Sequence, residues 1–260
     1  MKKTWIHPNL SEFPKEYHSI LQETPIFDSS CSPEAKVYYI PKGEGLYLKR
    51  APKGALKKEA RLTDWFYQKG LAAKVLDYKS AEEDWMLSEA VAGEDCTHYI
   101  HDPKRLCDTL AEILRMLHGL PFAECPEQDR LAAYFETAER NYRKKQFDLS
   151  FAWPGGEKIE SAEQAWKLIV EQKHLLKKEV LLHGDYCLPN IMLKDWRFSG
   201  FIDLGAAGVG DRHIDLYWAI WTLRFNLKTD AFAERFKEAY GKSLIEEEKF
   251  RLIGALEIFG

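Results

Sequence analysis

With 260 residues, the chain can form one large domain or two lobes with cores of their own. Its 37 basic and 41 acidic side chains leave a net charge of −4, and no basic stretch is interleaved with aromatic residues as nucleic-acid binding would need. No run approaches the roughly 18 apolar residues of a membrane span, the first residues lack the apolar stretch of a secretory signal, and Cys31, Cys96, Cys107, Cys125 and Cys187 form no C-x-x-C pair.

A cytoplasmic protein with reduced thiols is expected, with neither nucleic acid nor membrane as partner. Oligomeric state stays open. Along the chain, the first ninety residues alternate short apolar strands with turns. Residues 36–40 and 45–50 read as a hairpin joined by Pro41-Lys42-Gly43-Glu44. Just ahead of it, Ser29-Ser30-Cys31-Ser32-Pro33 offers hydroxyls and backbone N–H groups suited to phosphate oxygens. Residues 56–70 read as a helix closed by a glycine, and 74–78 and 84–90 as strands. After Gly93 the period becomes helical. Leu106, Leu110, Ile113, Leu114 and Leu117 recur at three- and four-residue spacing behind Asp102-Pro103, a cap and a first-turn proline. Further helices are expected over 127–146, 161–176, 212–227, 230–240 and 246–258, with a loop at 151–156. The prediction is an α+β protein, with a small β-rich N-lobe over 1–90 and a larger helical C-lobe over 91–260.

The densest chemistry lies between Glu179 and Gly205. His183-Gly184-Asp185 is followed five residues after the aspartate by Asn190, and Asp203-Leu204-Gly205 comes after the next apolar stretch. That is the layout of a kinase catalytic loop and its metal-binding turn, in which one aspartate meets the acceptor hydroxyl while an asparagine and a second aspartate hold Mg²⁺. Phosphoryl transfer asks the protein for positioning and charge neutralisation more than for covalent chemistry. Lys194-Asp195-Trp196 reads as the hairpin turn between two apolar strands, a geometry that sets Asn190 beside Asp203. At roughly 5% usage per residue type, H-G-D-x-x-x-x-N arises by chance in about one chain in a thousand of this length. The register with Asp203 makes coincidence remoter still.

A nucleotide also needs its phosphates anchored. No G-x-x-x-x-G-K-[ST] string is present, which argues against a P-loop enzyme. Lys49 instead takes the position of the strand lysine that grips the α- and β-phosphates in kinases, with Glu59 on the following helix as its candidate partner. Tyr47 shares the face of Lys49 and could stack on the adenine.

Taken together, His183 to Ile191, Gly200 to Gly205 and Gly208 to Arg212 resemble the aminoglycoside 3′-phosphotransferases, bacterial antibiotic kinases with a protein-kinase-like bilobal fold. The similarity runs through nearly the whole chain. It implies that Asp185 is the catalytic aspartate and that Asn190 and Asp203 are magnesium ligands. Lys49, paired with Glu59, would bind phosphate, Ser32 would touch the β-phosphate, and the backbone near Glu89 and Ala90 would hold the adenine of ATP or GTP. Asp215, and with it His183, would support the catalytic loop. Glu257 and Phe259 match the family's terminal Glu-x-Phe, which contacts the aminosugar. The loop over 147–161 would bind substrate, with Asp148, Glu157 and Glu160 as its acids.

Three departures stand out. An extra residue sits around Glu34 in the nucleotide-positioning loop, Ala206 replaces the arginine that usually follows the D-x-G motif, and the terminal acidic pair is reduced to Leu256-Glu257. The loop carries Lys158, Phe151 and Trp153 beside its acids and is less acidic than a polycation would require. The leading expectation is transfer of the γ-phosphate of ATP or GTP, with Mg²⁺, to a hydroxyl of an aminoglycoside or related small amino-sugar. The alternatives are a metabolic kinase of the choline, methylthioribose, homoserine or fructosamine type, and a nucleotide-binding module without catalysis.

Overall fold

The computed structural model describes residues 3–22, 24–31, 35–153 and 157–260. In chain order the strands are β1 (Thr4–Ile6), β2 (Ile26–Asp28), β3 (Lys36–Ile40), β4 (Leu46–Pro52), β5 (Val75–Ser80), β6 (Glu83–Glu89), β7 (Glu94–Asp95), β8 (Val180–Leu182), β9 (Ile191–Lys194), β10 (Arg197–Phe201) and β11 (Gly208–Gly210). The helices are α1 (His18–Gln22), α2 (Lys57–Gln68), α3 (Pro103–His118), α4 (Arg130–Arg143), α5 (Ala162–Gln172), α6 (His213–Leu227), α7 (Ala233–Tyr240) and α8 (Glu247–Glu257). They divide into two compact units. One holds Met1–Cys96 with Pro189–Gly205, the other Thr97–Leu188 with Ala206–Gly260.

The first unit is built on an antiparallel six-stranded sheet ordered β1-β2-β3-β4-β6-β5. Side chains alternate across it, so Leu48 of β4 joins Phe13, Tyr17, Ile26, Ile40 and Trp85 in one apolar layer, while Ala51 packs with Leu56, Ala60 and Met86 on the α2 side. Period two therefore puts Lys49 on the same side as α2. Strands β1 and β2 extend the sheet beyond the four that the sequence suggests. A second sheet, β10-β9-β7, carries the expected hairpin. Lys194 pairs with Arg197, and the two loop residues Asp195 and Trp196 both take left-handed φ values, 53° and 64°. This is the loop geometry whose twist suits a two-residue hairpin, made here without glycine.

The second unit is helical. Helix α3 begins where Asp102 caps the N–H of Arg105 and Pro103 fills the first turn. Asp129 and Ser161 cap the N–H groups of Ala132 and Gln164 and fix the starts of α4 and α5, while both helices end three to four residues before the periodicity suggests, α5 passing into a 3-10 turn over Lys173–Leu175. Helix α6 is buried on most sides, from His213 to Leu223. Strands β8 and β11 pair antiparallel and bring the segment ahead of His183 beside Gly208–Gly210. All five cysteines are free thiols. Among the described residues, no helix is long and apolar enough to cross a membrane.

Candidate active site

In the first unit, three charged groups meet. Lys49 Nζ lies 2.8 Å and 2.9 Å from the two carboxylate oxygens of Glu59 and 2.9 Å from Asp203 Oδ1. Burial opposes the charge on Lys49, but the carboxylates of Asp203 and Glu59 outweigh it and hold the ammonium above the ordinary lysine pKa. Glu59 is nearly buried, whereas the Asp203 side chain is 52% exposed and can meet a ligand. Asn190 directly precedes β9 and Asp203 follows β10 by two residues, at the same end of the hairpin. The Asn190 carbonyl accepts the N–H of Ile202 at 3.1 Å, and Asp203 takes a left-handed φ of 56°, uncommon for a residue with a side chain.

The nucleotide residues expected from the sequence fall as follows. Ser32 lies outside the described residues. Nearby, Ser30 Oγ accepts the N–H of Val37 at 2.9 Å, and the Ser29 hydroxyl is buried with no hydrogen-bond partner among the described residues. Tyr47 is half-buried with its ring 5.2 Å from that of Tyr39, and desolvation pushes its phenol up to about 12. The N–H groups of Glu89 and Ala90 donate to the carbonyls of Lys74 and Gly45, at 3.0 Å and 2.9 Å.

In the second unit, the catalytic-loop string is held by one buried acid. Asp215 Oδ2 accepts the His183 N–H at 2.8 Å, and its Oδ1 accepts the Gly184 N–H at 2.7 Å. His118 Nε2 lies 3.1 Å from the same carboxylate, and its Nδ1 lies 2.8 Å from the Tyr240 hydroxyl. Gly184 sits at φ 84°, and a Cβ there would lie 2.0 Å from the Ala206 carbonyl oxygen, so the motif requires glycine. The His183 ring is buried, and its Nδ1 accepts the N–H of Asp185 at 3.3 Å. Cys187 is part-buried, and desolvation together with the neighbouring Asp185 carboxylate holds its thiol protonated.

The acids expected to meet a cationic substrate have varied surroundings. Asp148 caps Ser150, Glu157 pairs with Arg251 at 3.1 Å, and Glu160 lies 3.6 Å from Lys158. Glu257 is different. It is buried, and its Oε1 accepts from the Tyr134 hydroxyl and, at 2.9 Å, from Trp218 Nε1. Burial pushes this carboxyl up to about 7, with Asp185 among the charges it feels. The ring of Phe259 is buried against Tyr142 and Trp166 and does not reach the surface. Glu179, Asp211 and His213 are close enough to hold a metal among the described residues, yet Asp211 already accepts from Lys177, His213 and Lys249, and Arg212 pairs with Glu179. That cluster is a satisfied ion-pair network.

A family model described as the phosphotransferase enzyme family matches residues 34–253. The chain belongs to this family. It is 44% identical over 255 residues to a Lactococcus lactis protein named "Probable aminoglycoside 3'-phosphotransferase", with 97% of each chain covered. It is 34% identical to the aminoglycoside 3′-phosphotransferase of Niallia circulans, over 86% of this chain and 87% of the relative. The fold matches that of an aminoglycoside phosphotransferase from Streptomyces rimosus solved with ADP and streptomycin, with a TM-score of 0.77 at 22% identity over 97% of this chain and 99% of that one. The phosphotransferase is thus an α+β protein of the small-molecule kinase type.

One sequence departure finds a structural counterpart. Where Ala206 lacks the usual arginine side chain, Arg130 of α4 donates through Nε to the Ala206 carbonyl at 2.8 Å, its guanidinium 5.1 Å from the ring centre of Tyr134. Arg130, Tyr134, Trp218 and His118 are the residues of this phosphotransferase that sequence reasoning missed. They carry no motif and reach their partners only through tertiary packing.

Proposed function

We propose that this phosphotransferase moves the γ-phosphate of ATP to a hydroxyl of an aminoglycoside or a closely related amino-sugar. The observation that carries the reading is the pair of N–H groups, from His183 and Gly184, donated to buried Asp215, which fixes the backbone immediately before Asp185. A loose phosphoryl-transfer transition state rewards orientation over strong basicity. Asp185 orients the acceptor hydroxyl and takes its proton late in the transfer. Lys49, kept cationic by Glu59 and Asp203, neutralises charge on the nucleotide phosphates. Tyr47 lies beside the base, and the backbone near Glu89 and Ala90 meets its edge. The serine-rich loop that includes Ser32 caps the phosphates.

Asn190 and Asp203 offer the hard oxygen donors that magnesium takes, and the partly exposed Asp203 carboxylate fits that use. When bound, the ion would supply positive charge to the β- and γ-phosphates. On the acceptor side, Glu257 offers a buried carboxyl that would hydrogen-bond an amino or hydroxyl group of the amino-sugar.

The test is ADP release with ATP and with GTP against kanamycin, neomycin, choline, methylthioribose, homoserine and fructosamine. Turnover is expected with the aminoglycosides and ATP, lost on chelation and restored by Mg²⁺. Selective turnover of one of the metabolites would replace this reading, and no turnover with any acceptor would favour a binding module. Asp185→Ala should lower kcat by roughly 10²- to 10⁴-fold with nucleotide affinity nearly intact; near-normal turnover would reject the role given to Asp185.

A further inference from the structure

Four aromatic rings in the second unit form a continuous ladder. Trp218, Trp221 and Phe225 follow one another at three- and four-residue spacing on α6, and Phe151 from the loop after α4 packs on the first two. Phe151 stacks on Trp221 at 5.9 Å, Trp221 meets Trp218 edge-on at 5.4 Å, and Trp221 stacks on Phe225 at 5.0 Å with planes only 7° apart. The inner end is tied to the acceptor side, because Trp218 Nε1 donates to Glu257 and that carboxyl feels the charge of Asp185. The outer end is open. Phe225 is 56% exposed, and the ammonium of Lys228 stands 4.2 Å over its ring.

This placement answers a difficulty left by the loop acids. Asp148 is used as a cap, while Glu157 and Glu160 have Arg251 and Lys158 beside them. The attraction for an amino-sugar must therefore come in part from elsewhere. Aromatic faces carry negative charge density and attract ammonium groups, and they also pack against the C–H faces of sugar rings. Lys228 shows that the outermost ring already takes an ammonium in this position.

We propose that Phe151, Trp218, Trp221 and Phe225 form a subsite for a distal, ammonium-bearing ring of the acceptor, continuous with Glu257 and reached by displacing the Lys228 ammonium from Phe225. The subsite deepens the amino-sugar reading given above and rests on it. It makes the distal ring, rather than the ring that is phosphorylated, the part of the acceptor that these aromatic side chains recognise.

Steady-state ADP release with neomycin and with its two-ring fragment neamine, on wild type, Phe225→Leu, Phe225→Tyr and Lys228→Ala, tests it. Phe225→Leu is expected to raise KM for neomycin roughly 3- to 30-fold, the range of a partly desolvated cation–π contact. Under the same substitution kcat and the neamine KM stay within about twofold. Phe225→Tyr restores the wild-type value, and Lys228→Ala lowers the neomycin KM by freeing the ring. Equal changes for the two acceptors, or no change for either, overturn the subsite while leaving wild-type turnover to support the amino-sugar reading. Absence of turnover with both acceptors in wild type overturns that reading and the subsite with it. Phe225 is at the surface, and an unchanged melting temperature for Phe225→Leu verifies that the fold is retained.

Discussion

Glu257 combines burial with two donors on a single oxygen. Its Oε1 accepts from Tyr134 and Trp218, which leaves Oε2 to carry a proton. Burial pushes this carboxyl to about 7 from an ordinary 4.5, so between those values the folded protein holds a proton that the unfolded chain has released. The stability it contributes is fully present below the lower value and is lost as pH rises through the upper one, on the order of 3 kcal/mol. Glu257→Gln keeps an oxygen for both donors and removes the titration. Its melting temperature should fall less than that of the wild type between about pH 5 and pH 8; parallel pH profiles would show that Glu257 ionises freely. At single-residue resolution, Lys49, Glu59 and Asp203 were legible from the kinase-like layout of strand lysine, helix acid and D-x-G turn, and Asp215 only through the family resemblance. Glu257 could be placed by its match to a terminal Glu-x-Phe, but Tyr134, 123 residues away in the chain, could not, because nothing local marks a long-range hydrogen bond.

Among the elements, the catalytic loop depends on a chain of contacts that starts well away from it. Tyr240 meets His118, His118 meets Asp215, and Asp215 holds the backbone of His183 and Gly184. His118→Ala removes the middle link and takes one hydrogen bond each from Asp215, which keeps the His183 and Gly184 N–H groups, and from Tyr240, which keeps Arg212, a cost of about 1–3 kcal/mol. We expect kcat to fall roughly tenfold, the loss set by a slackened loop, with the KM for ATP unchanged. His118→Gln should recover part of it by donating to Asp215. A matching rise in the ATP KM would instead indicate general disruption. The long elements were readable, since α3 announces itself through Asp102-Pro103 and a leucine stripe. Strands β1 and β2 were not, because three residues are too few to show alternation. The Asp195-Trp196 loop lacks the usual Asn-Gly signature and was found only through the motifs on either side.

For the molecule as a whole, the change from strand-rich to helix-rich composition near residue 90 was visible in the chain. The return of Pro189–Gly205 to the first unit was not, because composition read along a line cannot express which segment folds back. Its anchor is the pairing of two-residue β7 with β9, Glu94 beside Leu193 and Asp95 beside Met192. The first unit is therefore discontinuous in the gene. A fragment ending at residue 96 carries Lys49 and Glu59 but leaves Asn190 and Asp203 behind, together with the strand that β7 needs. Such a fragment alone should bind no nucleotide in calorimetry, and mixing it with residues 97–260 should restore binding if the pieces reassociate. The phosphotransferase is in this sense a poor donor of modular parts: recombination that swaps its first ninety-six codons between relatives separates the Lys49 ammonium from one of its two native carboxylates, that of Asp203, and co-inheritance of the later hairpin becomes the condition for a working chimera.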